Sequence, residues 1–315
     1  MHRFRIAIGL TLVFVLASVM DAQATTIIPI KTSKAFELAP ESYNVNHVFA
    51  WTQTRTPNSR GAGWNVMLSI AGRARRISRK GSYSWPDGFD DLGRLIFQQS
   101  FVKTPANSDL FMWSSGHITK LPAIINNQQW QYGGDRYGNW LVYGENLFAR
   151  KSSPWSIFKY NFTTGTKTRL ARATYGCHCV NPGNVVGGLT AYRFGRRISV
   201  EELGAPLTTW YTAPPTGYFD DYPFLIDPTP AQPGNGDEVL FFVRAKNGGC
   251  GRSVRIMQAG FPFTSATPVY RTSPNVAVNS LSVDDTTGVH NVYFGRQTCG
   301  KVPSGNIYEI KNVVP

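Results

Sequence analysis

A strand-turn-strand pattern that returns about every 45–50 residues constrains this chain more than any other feature. Asp90-Asp91-Leu92-Gly93 runs into Arg94-Leu95-Ile96-Phe97, and Asp135-Arg136-Tyr137-Gly138 runs into Asn139-Trp140-Leu141-Val142-Tyr143. Near the end, Asp285-Thr286-Thr287-Gly288 leads toward Val292-Tyr293-Phe294. A second hairpin alternates with the first. Asn65–Ile70 turns at Gly72, Asp109–Trp113 at Gly116, Ser156–Tyr160 at Gly165, Arg197–Val200 at Gly204, and Ser253–Met257 near Gly260. A unit this small cannot bury its apolar face alone, so the units must pack against one another.

The spacing gives six units, at residues 46–79, 82–122, 129–172, 176–213, 218–272 and 276–313. Each supplies four strands from the inside outward, except the last, where Asn306–Ile310 is a third strand and no fourth follows. Thr26–Ile30 has strand composition and is placed to supply it, which would remove an exposed edge. The expectation is an all-β fold, a six-bladed β-propeller whose last blade is closed by the N-terminal strand. With Val48–Trp51 holding the place of the strand after the turn, the first blade is expected to begin only near His47. Composition agrees: 30 Gly, 20 Pro and 13% aromatics beside only 16% charged residues suit many short strands joined by turns.

The Asp-x-x-Gly turn before an apolar strand, followed by a Thr-Gly turn (Asn161-Phe162-Thr163-Thr164-Gly165), resembles the WD40-like, PD40-type repeats of TolB-like six-bladed propellers. The likeness covers nearly all of the mature chain. It departs at Asn184, which replaces the aspartate, and at a Pro-rich insertion from Pro228 to Pro233. The resemblance implies action in partner assemblies through the loop faces, and carries over no contact residue.

Residues 1–24 read as a signal peptide. His2, Arg3 and Arg5 precede an apolar run from Ile6 to Met20, and Ala22-Gln23-Ala24 supplies a small-residue cleavage pattern. The run is short for a membrane span, and no later stretch is apolar enough to be one. Residues 25–315 then form a single domain, secreted or periplasmic, with no transmembrane segment and a monomer as the expected state. The whole chain carries a formal charge of +13. An excess of that size reads first as a solubilising surface, and it would also attract an acidic partner, such as an envelope component or polysaccharide. Export argues against nucleic acid.

Cys177, Cys179, Cys250 and Cys299 fall in loops that strand alternation places on one face of the ring. In an oxidising compartment an even count reads as two disulfides, with Cys177 and Cys179 each reaching toward Cys250 or Cys299. A metal site from Cys177, His178 and Cys179 is the alternative, but the familiar two-residue spacing is absent. No metal and no cofactor are expected.

Paired aspartates recur: Asp87, Asp90 and Asp91, then Asp135, Asp220 and Asp221, and Asp284 and Asp285. Recurrence at one place in each unit assigns most of them to capping turn amides. Asp220 and Asp221 lie outside the repeated turn and are the candidates for binding. Trp51, Trp113 and Trp140 fall within strands and suit packing between sheets, whereas Trp85, Trp130, Trp155 and Trp210 lie nearer loops and are candidate ligand contacts. Arg73, Arg75, Arg76, Arg79 and Lys80 fall on the outermost strand of the first unit, where charge discourages edge-to-edge pairing. No Gly-x-Ser-x-Gly elbow, phosphate loop or His-Glu-x-x-His helix is present.

These features point to non-catalytic binding of a protein or cell-envelope component. The alternative is a polysaccharide lyase or hydrolase, which would need a carboxylate pair facing a deep channel beside exposed tryptophans. Thiol titration of the denatured, unreduced protein checks the cysteine expectation: no reactive thiols are expected, and four would exclude the disulfides.

Overall fold

The computed structural model describes residues 27–313, apart from 32, 34, 44–47, 56–62, 102–106, 128, 147–153, 174–179, 205–207, 229–234, 247–252, 287–288 and 300–303. The signal segment and Cys177, Cys179 and Cys250 therefore lie outside the described residues. Among those described, every named element is a strand, and no helix is long and apolar enough to cross a membrane.

The strands follow one another in antiparallel groups of four. The first unit is β2 (Phe36–Tyr43), β3 (Val48–Thr54), β4 (Asn65–Ile70) and β5 (Arg73–Arg76). The second is β6 (Ser82–Phe89), β7 (Leu95–Phe101), β8 (Ser108–Ser114) and β9 (His117–Lys120). The third is β10 (Trp130–Tyr137), β11 (Trp140–Asn146), β12 (Trp155–Asn161) and β13 (Thr166–Arg172). The fourth is β14 (Val180–Val186), β15 (Leu189–Phe194), β16 (Arg197–Glu202) and β17 (Thr209–Tyr211). The fifth is β18 (Tyr218–Ile226), β19 (Val239–Lys246), β20 (Arg255–Gly260) and β21 (Thr267–Arg271). The last comprises β22 (Val276–Thr286), β23 (Val289–Thr298) and β24 (Gly305–Val313), with β1 (Ile27–Lys31) beside β24.

Units two and three share one eight-stranded sheet, but a single parallel residue pair, Trp130 with Ser108, joins them. The leading strand of each unit stands beside the next: β2 by β6, β6 by β10, β10 by β14, β14 by β18, β18 by β22, and β22 by β2. The result is a ring of sheets, a β-propeller arrangement. Strand β1 lies antiparallel to β24, with Ile27 opposite Ile310, where the sequence placed it.

One expectation fails. The first unit does not begin near His47, because Phe36–Tyr43 is its innermost strand and pairs with β3. Pro40 and Glu41 interrupt the apolar alternation there, which hid the strand.

Hydrophobic cores fill the spaces between neighbouring sheets. Ala50, Val66 and Leu68 meet Leu95 and Phe97 between units one and two. Ile96 and Leu110 meet Leu141 and Tyr143 between two and three, and Val142 and Ile157 meet Val185 and Tyr192 between three and four. Leu189, Ala191 and Val200 pack on Leu240 and Phe242, and Phe241 and Val243 on Val292 and Phe294. Between the last unit and the first, Phe49 meets Tyr293 at 5.5 Å. The second to fifth units are apolar on both faces, so none of them is stable without both neighbours.

Deleting residues 25–31 would leave β24 as an unpaired edge. The expected outcome is a fall in Tm of about 5 °C or more and concentration-dependent self-association, read by thermal melts and light scattering.

Candidate functional site

The six leading strands enclose an axial cavity of about 740 Å³. Each of them is bulged at the same level. Between Leu38 and Glu41, Pro86 and Gly88, Tyr132 and Asp135, Pro182 and Val185, Asp221 and Phe224, and Val278 and Leu281, the leading strand carries one residue more than its partner. A bulge breaks the strict in-out alternation and re-aims side chains, which is why bulges recur beside functional sites. Gly133 fits its bulge because its φ of 60° is open to glycine, whereas Ala39 and Tyr222 hold φ of 49° as non-glycine residues.

Polar side chains at or beside the bulges tie four of the six leading strands to the next. The Gly133 amide donates to Asp87 Oδ1 at 3.1 Å, and the Val185 amide donates to Asp135 Oδ2 at 2.6 Å. The Leu225 amide donates to Asn184 Oδ1 at 2.6 Å while Asn184 Nδ2 donates to the Leu225 carbonyl at 2.7 Å. Between the last unit and the first, the Ser42 amide donates to Ser282 Oγ at 3.1 Å. These contacts satisfy amides on a strand edge that would otherwise go unpaired.

Three carboxyls meet here from three units. Glu41 is 8% exposed and Asp135 4% exposed, and Asp87 is half-buried between them. Burial is the main cause that pushes all three above the ordinary carboxylate range, opposed by backbone hydrogen bonds at Asp87 and Asp135. Asp135 and Asp87 repel Glu41 and Asp135 repels Asp87, which adds to the rise. Asp135 reaches about 8. Asp87 Oδ2 and Asp135 Oδ1 are buried with no hydrogen-bond partner. Gly88 is glycine because the Asp135 carboxyl occupies the space a Cβ would need.

Aromatic rings line the same cavity at the end where the leading strands begin. Trp64 stacks on Trp85 at 4.9 Å, Phe36 meets Trp64 edge-on at 5.7 Å, and Tyr83 lies 5.9 Å from Trp85. Of the four tryptophans named as ligand candidates, Trp85 alone lines the cavity, and it stands in β6. Trp130 begins β10, 5.9 Å from Tyr83, and Trp155 begins β12, edge-on to Tyr132 at 4.9 Å; both adjoin the cavity's aromatic wall. Trp210 is on the outer strand β17, against Phe261, away from the cavity.

The acidic candidates divide differently from their sequence grouping. Asp220 forms a two-point ion pair with Arg244 at 2.7 and 2.9 Å, and Asp221 is held by Arg193 and by Asn181 Nδ2. Both are engaged in holding β18 and β14 in place. Asp90 caps its turn, accepting from the amides of Leu92 at 3.0 Å and Arg94 at 2.9 Å. Asp135, expected to do likewise, lies inside β10 at the bulge and reaches across to β14 instead. Glu41 went unread with its strand. The recurring pairs Asp87-Gly88, Gly134-Asp135 and Gly183-Asn184, a small residue beside an acid or amide, were the available signal.

Asp227, Asp237 and Glu238 bring one oxygen each within 4.8 Å of one another where β18 turns toward β19, so these three could hold a cation. Cys299 directly follows β23, and there is no free cysteine among the described residues. The basic residues of β5 are all exposed on its outer edge.

Neither a family model nor a curated protein matches the sequence. Solved structures do. A protein of unknown function from Dyadobacter fermentans superposes with a TM-score of 0.53 at 10% identity, over 90% of this chain and 99% of the other. A mutant of the Aleuria aurantia lectin in complex with alpha-methyl-L-fucoside gives 0.50 at 9% identity, over 91% and 97%. That lectin's fold is described as a six-bladed beta-propeller. A putative TolB from Agrobacterium tumefaciens gives 0.46 at 15% identity, over 77% and 83%. At such identities the likeness is one of fold alone, and the propeller arrangement is what it supports.

The raised carboxyls set a pH dependence. A carboxyl whose pKa is higher in the folded state favours folding below its ordinary pKa, and that contribution is lost as pH rises toward about 8 for Asp135. Stability is therefore expected to fall between about pH 4 and about pH 8, read as a lower Tm. Asp135→Asn, which keeps an oxygen for the Val185 amide, is expected to flatten that slope.

Proposed function

We propose that the chain is an exported six-bladed propeller, TolB-like in its repeats and closed by its N-terminal strand, that serves as a non-catalytic binding module. In this reading the eight-stranded sheet counts as two blades, since one residue pair is all that joins its halves. The four cysteines form two disulfides on the loop face. The ligand, part of a protein or cell-envelope component, enters at the aromatic end of the axial cavity.

The observation that carries this reading is the cavity wall. Rings of Trp64, Tyr83, Trp85 and Tyr132 share it with buried carboxyls, and no Lys, Arg or His is among the described residues that line it. Aromatic faces give area and orientation to a bound group at little entropic cost. The same wall speaks against an acidic polysaccharide inside the cavity, where like charges would meet in a poorly solvated space. An acidic partner suits the exposed edge of β5 instead, with Arg73, Arg75, Arg76 and Lys80.

A hydrolase is the second reading, favoured by one fact: Asp135 holds its proton to about pH 8, as a general acid should. It ranks second because Asp87 and Asp135 each commit an oxygen to an amide of the next strand. A carboxyl that latches the ring is not free to turn toward a substrate.

A pull-down and glycan-array screen with the mature protein tests the choice. Trp85→Ala is expected to weaken capture about tenfold or more, equivalent to about 1.4 kcal/mol, while Trp210→Ala, outside the cavity, leaves it unchanged. Turnover of any glycan by the wild-type protein would overturn the binding-module reading.

A further inference from the structure

We infer that the axial cavity takes a ligand bearing an ammonium group, held between the leading strands of units one, two and three. The inference rests on the binding-module reading and specifies the chemistry of its ligand.

The charge inventory is one-sided. Glu41, Asp87, Asp90, Asp91, Asp135 and Asp227 line the cavity, and no basic side chain does among the described residues. The nearby cations are committed elsewhere. Arg94 pairs with Asp90 at 2.6 Å, Arg193 pairs with Asp221, and the Arg136 guanidinium lies 4.3 Å over the Phe162 ring. Three other buried acids near this axis have a basic partner: Asp90 has Arg94, Asp220 has Arg244, and Asp221 has Arg193. Glu41, Asp87 and Asp135 have none.

A second observation concerns uncompensated oxygens in this wall. Asp135 is 4% exposed, and one of its oxygens, like one of Asp87, has no hydrogen-bond donor. Buried oxygens of this kind are costly unless a proton or a positive charge compensates them. Protons can do so, because burial and mutual repulsion favour the neutral acids. A cation in the cavity would replace them, supplying counter-charge through a low-dielectric wall where Coulomb attraction is strong. One carboxyl proton would then leave to solvent for each positive charge taken up.

The geometry selects an organic cation over a metal ion. Among the described residues, Asp227, Asp237 and Glu238 are the one group that brings three ligand atoms within 4.8 Å. Glu41, Asp87 and Asp135 do not close that far, so they cannot share one small ion at bonding distance. An ammonium on a larger body spans separated acids, and its positive face suits the rings of Tyr132 and Trp85 on the same wall.

The test compares a glucosamine disaccharide with two uncharged counterparts. The N-acetylated one removes the charge but adds an acetyl group, and the matching glucose disaccharide removes the charge at nearly the same size. Calorimetry at about pH 6.5, where the amine is charged, is run in two buffers of different ionisation enthalpy. The amino sugar is expected to bind at least about tenfold tighter, and to release up to about one proton per molecule bound. Asp135→Asn is expected to abolish the proton release and most of the preference. The release is measured on the wild-type protein, so the test stands even if that variant folds poorly. Equal or tighter binding of either uncharged sugar, or binding without proton release, or no binding of any of the three, would overturn the inference. Failure of the binding-module reading shows elsewhere, as glycan turnover or as capture that survives Trp85→Ala.

Discussion

An unpaired strand edge facing inward is the constraint on which the rest of this structure depends. A ring of sheets places the free edge of every leading strand at its axis, where amides have neither a sheet partner nor bulk water. Here side chains do the pairing: Asp87 for Gly133, Asp135 for Val185, Asn184 for Leu225 and Ser282 for Ser42. Each contact runs from one unit to the next, so the interaction that satisfies the edge also fixes the neighbour's register. The one-residue bulge is what brings those side chains and amides together. Burying acids at the axis is the cost of this solution, and their raised proton affinity follows from it.

Charge is distributed against the average. The chain as a whole is strongly basic, yet the axis is acidic and its cations are on the outside, as in the fully exposed β5. Net charge alone suggested an acidic partner. The structure puts basic side chains on the outer edge and carboxyls along the cavity, charges of opposite sign. One molecule can thus present two surfaces of different appetite, and a single composition figure averages them away.

Much of the fold was legible because the second and third strands of each unit are apolar, unbroken and preceded by a recognisable turn. Leu95–Phe101, Trp140–Asn146 and Val239–Lys246 follow that rule. Leading strands were harder to read, since the bulge shifts their alternation and admits Pro, Gly and acids, as in Phe36–Tyr43 and Val180–Val186. The site suffered most from this. Asp90-x-x-Gly93 and Asp135-x-x-Gly138 have identical spacing, but the first aspartate lies just past its strand and caps a turn while the second lies within its strand and crosses to the next. Spacing counts residues, and a bulge changes what that count means. Asp220 and Asp221 stood apart in the sequence for the same reason, and their apparent isolation ended once Arg244 and Arg193 were brought across from neighbouring strands.

The pairing of Ile27 with Ile310 has a kinetic side. A strand near the start of the chain waits for one near its end, and every sheet between them must already stand in line before the two can meet. Such long-range pairing makes for slow completion, however fast the individual hairpins form. Until then the growing arc exposes two apolar flanks and two open edges. As the chain folds, the protein's most vulnerable moment is thus the interval before its circle shuts.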